Sequence, residues 1–419
     1  MNDEARGVQR VYLLLTLLNT LAASLIWGIN TLFLLDAGLN NTEAFAANAF
    51  FTAGMVLFEI PTGIIADSRG RRVSFLLGTF TLSVSTGLYL LMWYLSAPFI
   101  GWAISSMILG LGFTFFSGAV EAWLVDAMHH TRFKGNLENV FAKGQVVTGI
   151  AMLSGSVAGG VIAQLTNLGV PYIVRSAILV VAFIAGYLLM KDLGFTPIKS
   201  KEPVREIKKI FHASLDHGIR NHNARWIMLA APFSAGVGIY AFYAMQPYLL
   251  KLYGDPNAYS IAGLAAAIIA GAQIVGGLIV PKLIKLFSKR TTLLLIGAVI
   301  NASLLLGFGL VNNFYIAVAM IVGWALVFSA SMPVRQTFLN GVIPSQQRAT
   351  VLSFDSLLGS SGGVVFQPVL GRVADVYSYS TSYIVSGAIS AVSAPLIYLA
   401  KKQRAESDDI QSASAPETS

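Results

Sequence analysis

The chain has no cysteine among its 419 residues, and only 11% of them are charged. The first absence excludes disulfides and thiolate metal sites. The second excludes a soluble fold. Soluble domains carry about 25% charged residues, and a chain of this length could not solvate its surface with so few. Also missing are a phosphate-binding loop, a dinucleotide fingerprint and any cluster with metal-ligand spacing. His129 and His130 are adjacent, so they cannot share one face of a helix. Nucleotide-driven pumping is therefore disfavoured, no cofactor is expected, and no catalytic constellation marks an enzyme.

What remains is apolar: 55% of the residues are hydrophobic, in recurrent long runs. About 20 apolar residues cross a bilayer. The runs predict an all-α integral membrane protein with twelve spans, at 11–35, 44–66, 73–95, 99–126, 140–165, 172–191, 226–252, 259–284, 292–311, 314–339, 350–371 and 381–400. The first run is too long for the core of a cleavable signal. A net charge of +8 would point to nucleic acid in a soluble protein. Here the positive-inside rule explains it. With the spans alternating, all but Arg175, Lys251 and Arg372 of the 28 lysines and arginines fall on one face. Both termini are expected in the cytoplasm, with the lipid bilayer, not nucleic acid, as partner.

The longest break, 192–225, divides six spans from six. It predicts a first bundle over 1–191, a cytoplasmic linker, a second bundle over 226–400 and a polar, disordered tail over 401–419. In the linker Ile207, Ile210, Phe211, Leu215 and Ile219 recur at helical spacing opposite Arg205, Lys208 and Lys209. That pattern suits a basic amphipathic helix on an anionic leaflet. The halves repeat. PKLIKLFSKR, Pro281 to Arg290, aligns without gaps to GIIADSRGRR, Gly63 to Arg72, with Lys285 in place of Asp67 and Ser288 in place of Gly70.

GIIADSRGRR fills the shortest possible gap between two apolar runs, where charge is expensive. It resembles the loop between the second and third helices of the major facilitator superfamily, Gly-x-x-x-Asp-(Arg/Lys)-x-Gly-(Arg/Lys)-(Arg/Lys). Gly63, Asp67, Gly70, Arg71 and Arg72 match, and Ser68 departs. The resemblance covers Val11 to Ala400 and implies two parallel six-helix repeats. It implies a bacterial inner- or plasma-membrane secondary transporter, a monomer that moves a small molecule with protons. Efflux of a drug-like amphipathic compound by antiport is the preferred reading. An importer, or a sensor that moves nothing, is the rival.

The same resemblance makes the loop a conformational latch. Asp67 would meet the N-terminus of the eleventh helix, and Arg71 would pair with Asp126 at the end of the fourth. On the fifth helix Gly149, Gly155, Gly159 and Gly160 resemble an antiporter glycine motif, with Ser156 in place of its proline; small-residue packing explains them equally well. Glu59 and Glu121 lie in apolar runs, where carboxyls are functional by default. Glu121 and Arg335 hold equivalent repeat positions, and neither has an obvious partner in its own half, so they are expected to pair as a proton-sensitive gate. The family's cavity is lined by the first, fourth, seventh and tenth helices. Asn19, Trp27, Asn30, Phe113, Phe116, Tyr240, Tyr243, Gln246, Trp324 and Phe328 lie on those spans and suit an amphipathic substrate, while packing or lipid contact explains any single aromatic better.

Overall fold

The computed structural model describes residues 3–197, 215–344 and 348–410. Most of the linker, including the 205–211 part of the expected amphipathic stretch, lies outside the described residues, and the last part of that stretch, Leu215–Ile219, forms a π turn. The twelve expected spans correspond one to one with helices or helix pairs. The first six are Asp3–Trp27 with Asn30–Asp36, Asn41–Arg69, Arg71–Tyr94, Phe99–Thr114 with Ala119–His130, Leu137–Leu165, and Val170–Leu189. The next three are Arg225–Ala231 running through a π turn into Val237–Tyr253, then Tyr259–Leu283, then Arg290–Leu310. Phe314–Val342, Arg348–Val376 and Tyr379–Ala391 with Ser393–Lys402 complete the set. Eleven are long and apolar enough to cross a membrane. The eleventh in order, Arg348–Val376, is the exception, diluted by Asp355, Gln367 and the serines at 353, 356, 360 and 361.

Starts are set by side chains that accept the orphan amides of a first helical turn. Asn40 accepts from the Glu43 amide at 2.9 Å while Glu43 accepts from the Asn40 amide at 3.1 Å, a capping box. Asn136, Asn313 and Ser378 cap the fifth, tenth and twelfth spans.

Four spans break, at 28–29, at 115–118, at Pro232–Gly236 and at Val392. In the fourth, Gly118 takes φ +66°, a left-handed conformation that costs other residues strain. The Phe115 carbonyl left by this break accepts from the buried Ser74 hydroxyl at 2.8 Å.

The chain forms two compact units, 1–203 with 255–267 and 204–254 with 268–419. The start of the eighth span, as far as Ala267, thus joins the first unit rather than the half to which it belongs in sequence. It approaches through glycines: a Cβ on Gly160 would lie 2.9 Å from the Gly263 Cα, and one on Gly28 would lie 2.9 Å from the Ala266 Cβ.

The tail expected to be disordered is ordered as far as Ile410. Asp408, 1% exposed, caps the ninth span, accepting from the Thr291 amide at 2.7 Å and the Thr291 hydroxyl at 2.8 Å. Arg290 donates to the Ser407 and Asp409 carbonyls at 2.6 and 2.9 Å, and the Ile410 amide donates to Ser288. A buried carboxylate with two such donors outweighs the entropy that polar composition alone would favour.

Candidate functional site

The loop at Gly63–Arg72 is built by two helices that meet at one residue. Gly70, at φ +109°, ends the second span and begins the third. Asp67 and Arg71 stand one turn apart across that corner and form an ion pair at 2.5 Å, with Asp67 46% and Arg71 19% exposed. Arg72 donates through Nη2 to the Tyr187 carbonyl at 2.6 Å. Its guanidinium lies 5.1 Å from the Tyr187 ring, and that of Arg71 lies 6.0 Å from the Phe195 ring.

One expectation for this loop changes. Arg71 does not pair with Asp126, because Asp67 is nearer and already holds it. Asp126 instead offers its backbone to the chain leaving the sixth span: a Cβ on Gly194 would sit 2.8 Å from the Asp126 carbonyl. Gly63 does not serve a close helix approach, since a Cβ there would meet nothing within 4 Å.

One residue that the sequence did not single out matters more. Asp192, just after the sixth span, caps the third span by accepting from the Arg72 amide at 2.9 Å. Beside it the Lys191 carbonyl accepts from the Trp123 indole of the fourth span at 2.7 Å. The segment 191–195 is thus a strap over the ends of the third and fourth spans.

Glu59, half-buried on the second span, accepts from the Ser117 hydroxyl at 2.5 Å, at the break in the fourth. Among the described residues no base lies within ion-pair distance of it. Glu121 is exposed, in the first turn after the same break, within electrostatic reach of Tyr12. Arg335 does have a partner in its own half, contrary to expectation. It makes a bidentate pair with Asp355 of the eleventh span, one contact at 2.5 Å, and also donates to the Ile227 carbonyl at 3.2 Å. Asp355 is only 7% exposed on its side chain. Pairing within the half satisfies the charge that the expected gate needed Glu121 to satisfy.

The glycines of the fifth span divide by face. A Cβ on Gly155 would overlap Ser24, and one on Gly159 the Leu25 carbonyl, so both serve a close seam with the first span. The Ser24 hydroxyl crosses that seam to the Ala151 carbonyl at 2.9 Å. Gly160 faces the eighth span instead, and Gly149 is half-buried. Gly144, not expected, extends the seam against Tyr12.

Most of the expected cavity side chains are committed inside their own halves. Phe116 packs edge-on against Phe75 at 5.2 Å, and Phe113 lies beneath the guanidinium of Arg175 at 5.8 Å. Asn30 is buried, donating to Asn48 and accepting from the Tyr172 hydroxyl, both at 2.9 Å. Tyr240 is fully buried and donates to Ser382 at 2.6 Å, Tyr243 packs on Phe242, and Gln246 is fully buried. Trp324 stacks on Phe328 at 5.4 Å, while Asn19 and Trp27 are half-buried. Arg175, placed at a span end by the sequence, is 1% exposed and donates to Thr86 at 3.1 Å and the Ala22 carbonyl at 3.2 Å.

Known proteins agree with this architecture. The fold resembles a mutant nucleoside transporter NupG, with a TM-score of 0.75 at 12% identity over 93% of this chain and 99% of that one. It also resembles a bacterial homologue of the human lysosomal transporter Spinster in an inward-facing state, with a TM-score of 0.74 at 15% identity over 97% and 99%. A D-xylose-proton symporter matches with a TM-score of 0.70 at 16% identity over 94% and 98%. In sequence, an uncharacterised MFS-type transporter of Methanocaldococcus jannaschii is 23% identical over 230 residues. That match takes in 55% of this chain and 57% of the relative, so the chain spans little more than half the length of the curated relative it matches. The family model of the Major Facilitator Superfamily matches residues 12–300 and 257–418. With two repeated six-helix halves and that match along its length, the chain belongs to the Major Facilitator Superfamily.

Proposed function

We propose that the protein is a proton-coupled secondary transporter that exports a small amphipathic organic compound across a bacterial inner membrane. It works as a monomer with both termini in the cytoplasm. One observation carries this reading. Glu59 is a carboxylate inside a span, held by a hydroxyl rather than by a base. A carboxylate inside a span is costly, and a hydroxyl does not neutralise it as a base would. Alternate occupancy by a proton and by a substrate is the simplest route to antiport, because each excludes the other.

Around that carboxylate, Gly63, Asp67, Gly70, Arg71 and Arg72 form the latch, with Asp126 at its rim. Its acid exchanges Arg71 for a helix terminus as the protein changes state. An exposed ion pair is worth about 0–1 kcal/mol, small enough to be broken in every cycle.

The test is a growth and dye-retention screen of expressing cells, with antibiotics and ethidium, at two external pH values. Export that stops when the proton gradient is collapsed, and that fails with Glu59→Gln at equal surface expression, supports the proposal. Accumulation of the compound in expressing cells would establish import instead. Unchanged proton-driven export by Glu59→Gln would remove Glu59 from the coupling.

A further inference from the structure

The fourth span is continuous in composition but not in structure. Its outer part, Phe99–Thr114, and inner part, Ala119–His130, are joined by a turn in which amides bond three residues back rather than four. Phe116 bonds to the Phe113 carbonyl, Ser117 to Thr114 and Ala119 to Phe116, at 3.1 to 3.3 Å. Two side chains from neighbouring spans stitch this turn. Ser74 satisfies its freed carbonyl and Glu59 takes its exposed hydroxyl, that of Ser117. The Ser74 contact is buried and neutral. The Glu59 contact is short, exposed and, with Glu59 ionised, charge-assisted.

The two stitches therefore differ in what can undo them. A hydroxyl-to-carbonyl bond is indifferent to protons. A hydroxyl-to-carboxylate bond loses its charge assistance when the carboxyl takes up a proton, and charge-assisted bonds are roughly twice as strong as neutral ones. Among the described residues no other titratable group is bonded at the contact. The outer part of the fourth span, against which the second span packs, contains none. On the third span Arg71 and Arg72 sit at the loop, held by Asp67 and the Tyr187 carbonyl, and Tyr89 is hydrogen-bonded to Ser106. Asp36, on the short helix that also meets the second span, accepts from Trp93. Glu43 and Asp67 are near the two ends of the second span, at its capping box and loop. Glu121, Asp126 and the two histidines follow the break, with Glu121 nearest in sequence.

We propose that Ser117 is a positioning residue through which Glu59 sets the angle of the broken fourth span. With Glu59 ionised, its bond to Ser117 holds the turn. With Glu59 protonated, the turn loosens and the inner part swings relative to the outer part. The inference rests on Glu59 as the proton carrier, and adds the element that its protonation moves. The left-handed Gly118 beside Ser117 is where such a swing is absorbed, since glycine alone crosses between these backbone conformations without strain.

The absence of cysteine makes the test direct. Spin labels on Ile100→Cys, 63% exposed in the outer part, and His129→Cys, exposed in the inner part, report the distance across the break by pulsed electron resonance. The purified full chain is measured without substrate at mildly acidic and mildly alkaline pH. The expected result is two populations whose ratio changes roughly tenfold between the two conditions. Ser117→Thr keeps that response and Ser117→Ala loses it. Glu59→Gln stays in the acidic population throughout. Size-exclusion profiles confirm folding, which removal of one exposed hydroxyl leaves intact. A wild-type response in Ser117→Ala, with none in Glu59→Gln, overturns the role of Ser117 while leaving Glu59 as proton carrier. No response in the parent overturns the swing itself, and ethidium export by Glu59→Gln then decides the coupling separately.

Discussion

The two halves solve one problem alike and another differently. At the start of its third helix each is capped by an acid from just beyond its last helix, Asp192 on the Arg72 amide and Asp408 on the Thr291 amide. Each strap also touches the end of the fourth helix of its half. Lys191 accepts from Trp123 in one, and Ser407 donates to the Phe338 carbonyl in the other. The halves part over where they place an ion pair. The first sets Asp67 against Arg71 at the exposed loop, while the second has lost that acid to Lys285 and sets Arg335 against Asp355 inside the bundle. The retained cap is thus the architectural need of the repeat, and the exposed pair is a specialisation of one copy. An exposed pair is weak enough to break at little cost, whereas a buried pair costs several kcal/mol to lose.

That contrast is open to measurement. The largest effect is expected for Asp355→Ala, which leaves Arg335 buried without its counter-charge and costs about 3–5 kcal/mol. In thermal unfolding of the purified protein it should lower Tm more than the loss of either strap acid or of Asp67. The joint replacement Arg335→Met with Asp355→Leu should restore most of the loss, and equal losses for single and joint variants would refute the pairing. Next comes Asp408→Ala, which orphans a buried amide and hydroxyl. Removal of bonds to a charged group costs about 1.5–3 kcal/mol, or roughly 3–12 °C in Tm for a unit of this size. Asp192→Ala removes a partly exposed cap and should cost about 0.5–2 kcal/mol. An Asp192 effect larger than that of Asp408 would reverse the ranking of the two straps. The smallest change in stability, about 0–1 kcal/mol, is expected for Asp67→Asn. Its flux should nonetheless fall far below that of the parent at equal surface expression. Normal flux would reduce the latch to an ordinary basic loop.

The spans were legible because a bilayer imposes a length and a composition at once, and no other environment tolerates such runs. The breaks were not. Ser117 and Gly118 sit in a run apolar enough to read as one helix, and nothing local announces that Ser74 and Glu59 wait on neighbouring spans. The caps escaped for a related reason. Asp192 and Asp408 act on amides 120 and 117 residues away, from segments polar enough to pass for linker and tail. Their recurrence just after the last helix of each repeat was a usable signal. So was the placement of Arg335 and Asp355, each seven residues inside facing helix ends, at Val342 and Arg348. Successive spans are antiparallel, which brings such positions level. The aromatic residues fit two readings by composition, substrate wall or packing. Phe116 and Tyr240 fit a substrate wall by composition, yet they fill the interiors of their own halves.

The straps also dictate where these halves can be recombined. Because each half is closed by its own trailing segment, exchanging halves between related transporters should leave both caps whole, provided the splice falls beyond Phe195. A splice at Lys191, where the sixth helix has just ended and hydropathy would place the seam, hands Asp192 to the wrong parent. The third helix of the recipient would then begin against whatever residue the donor carried there.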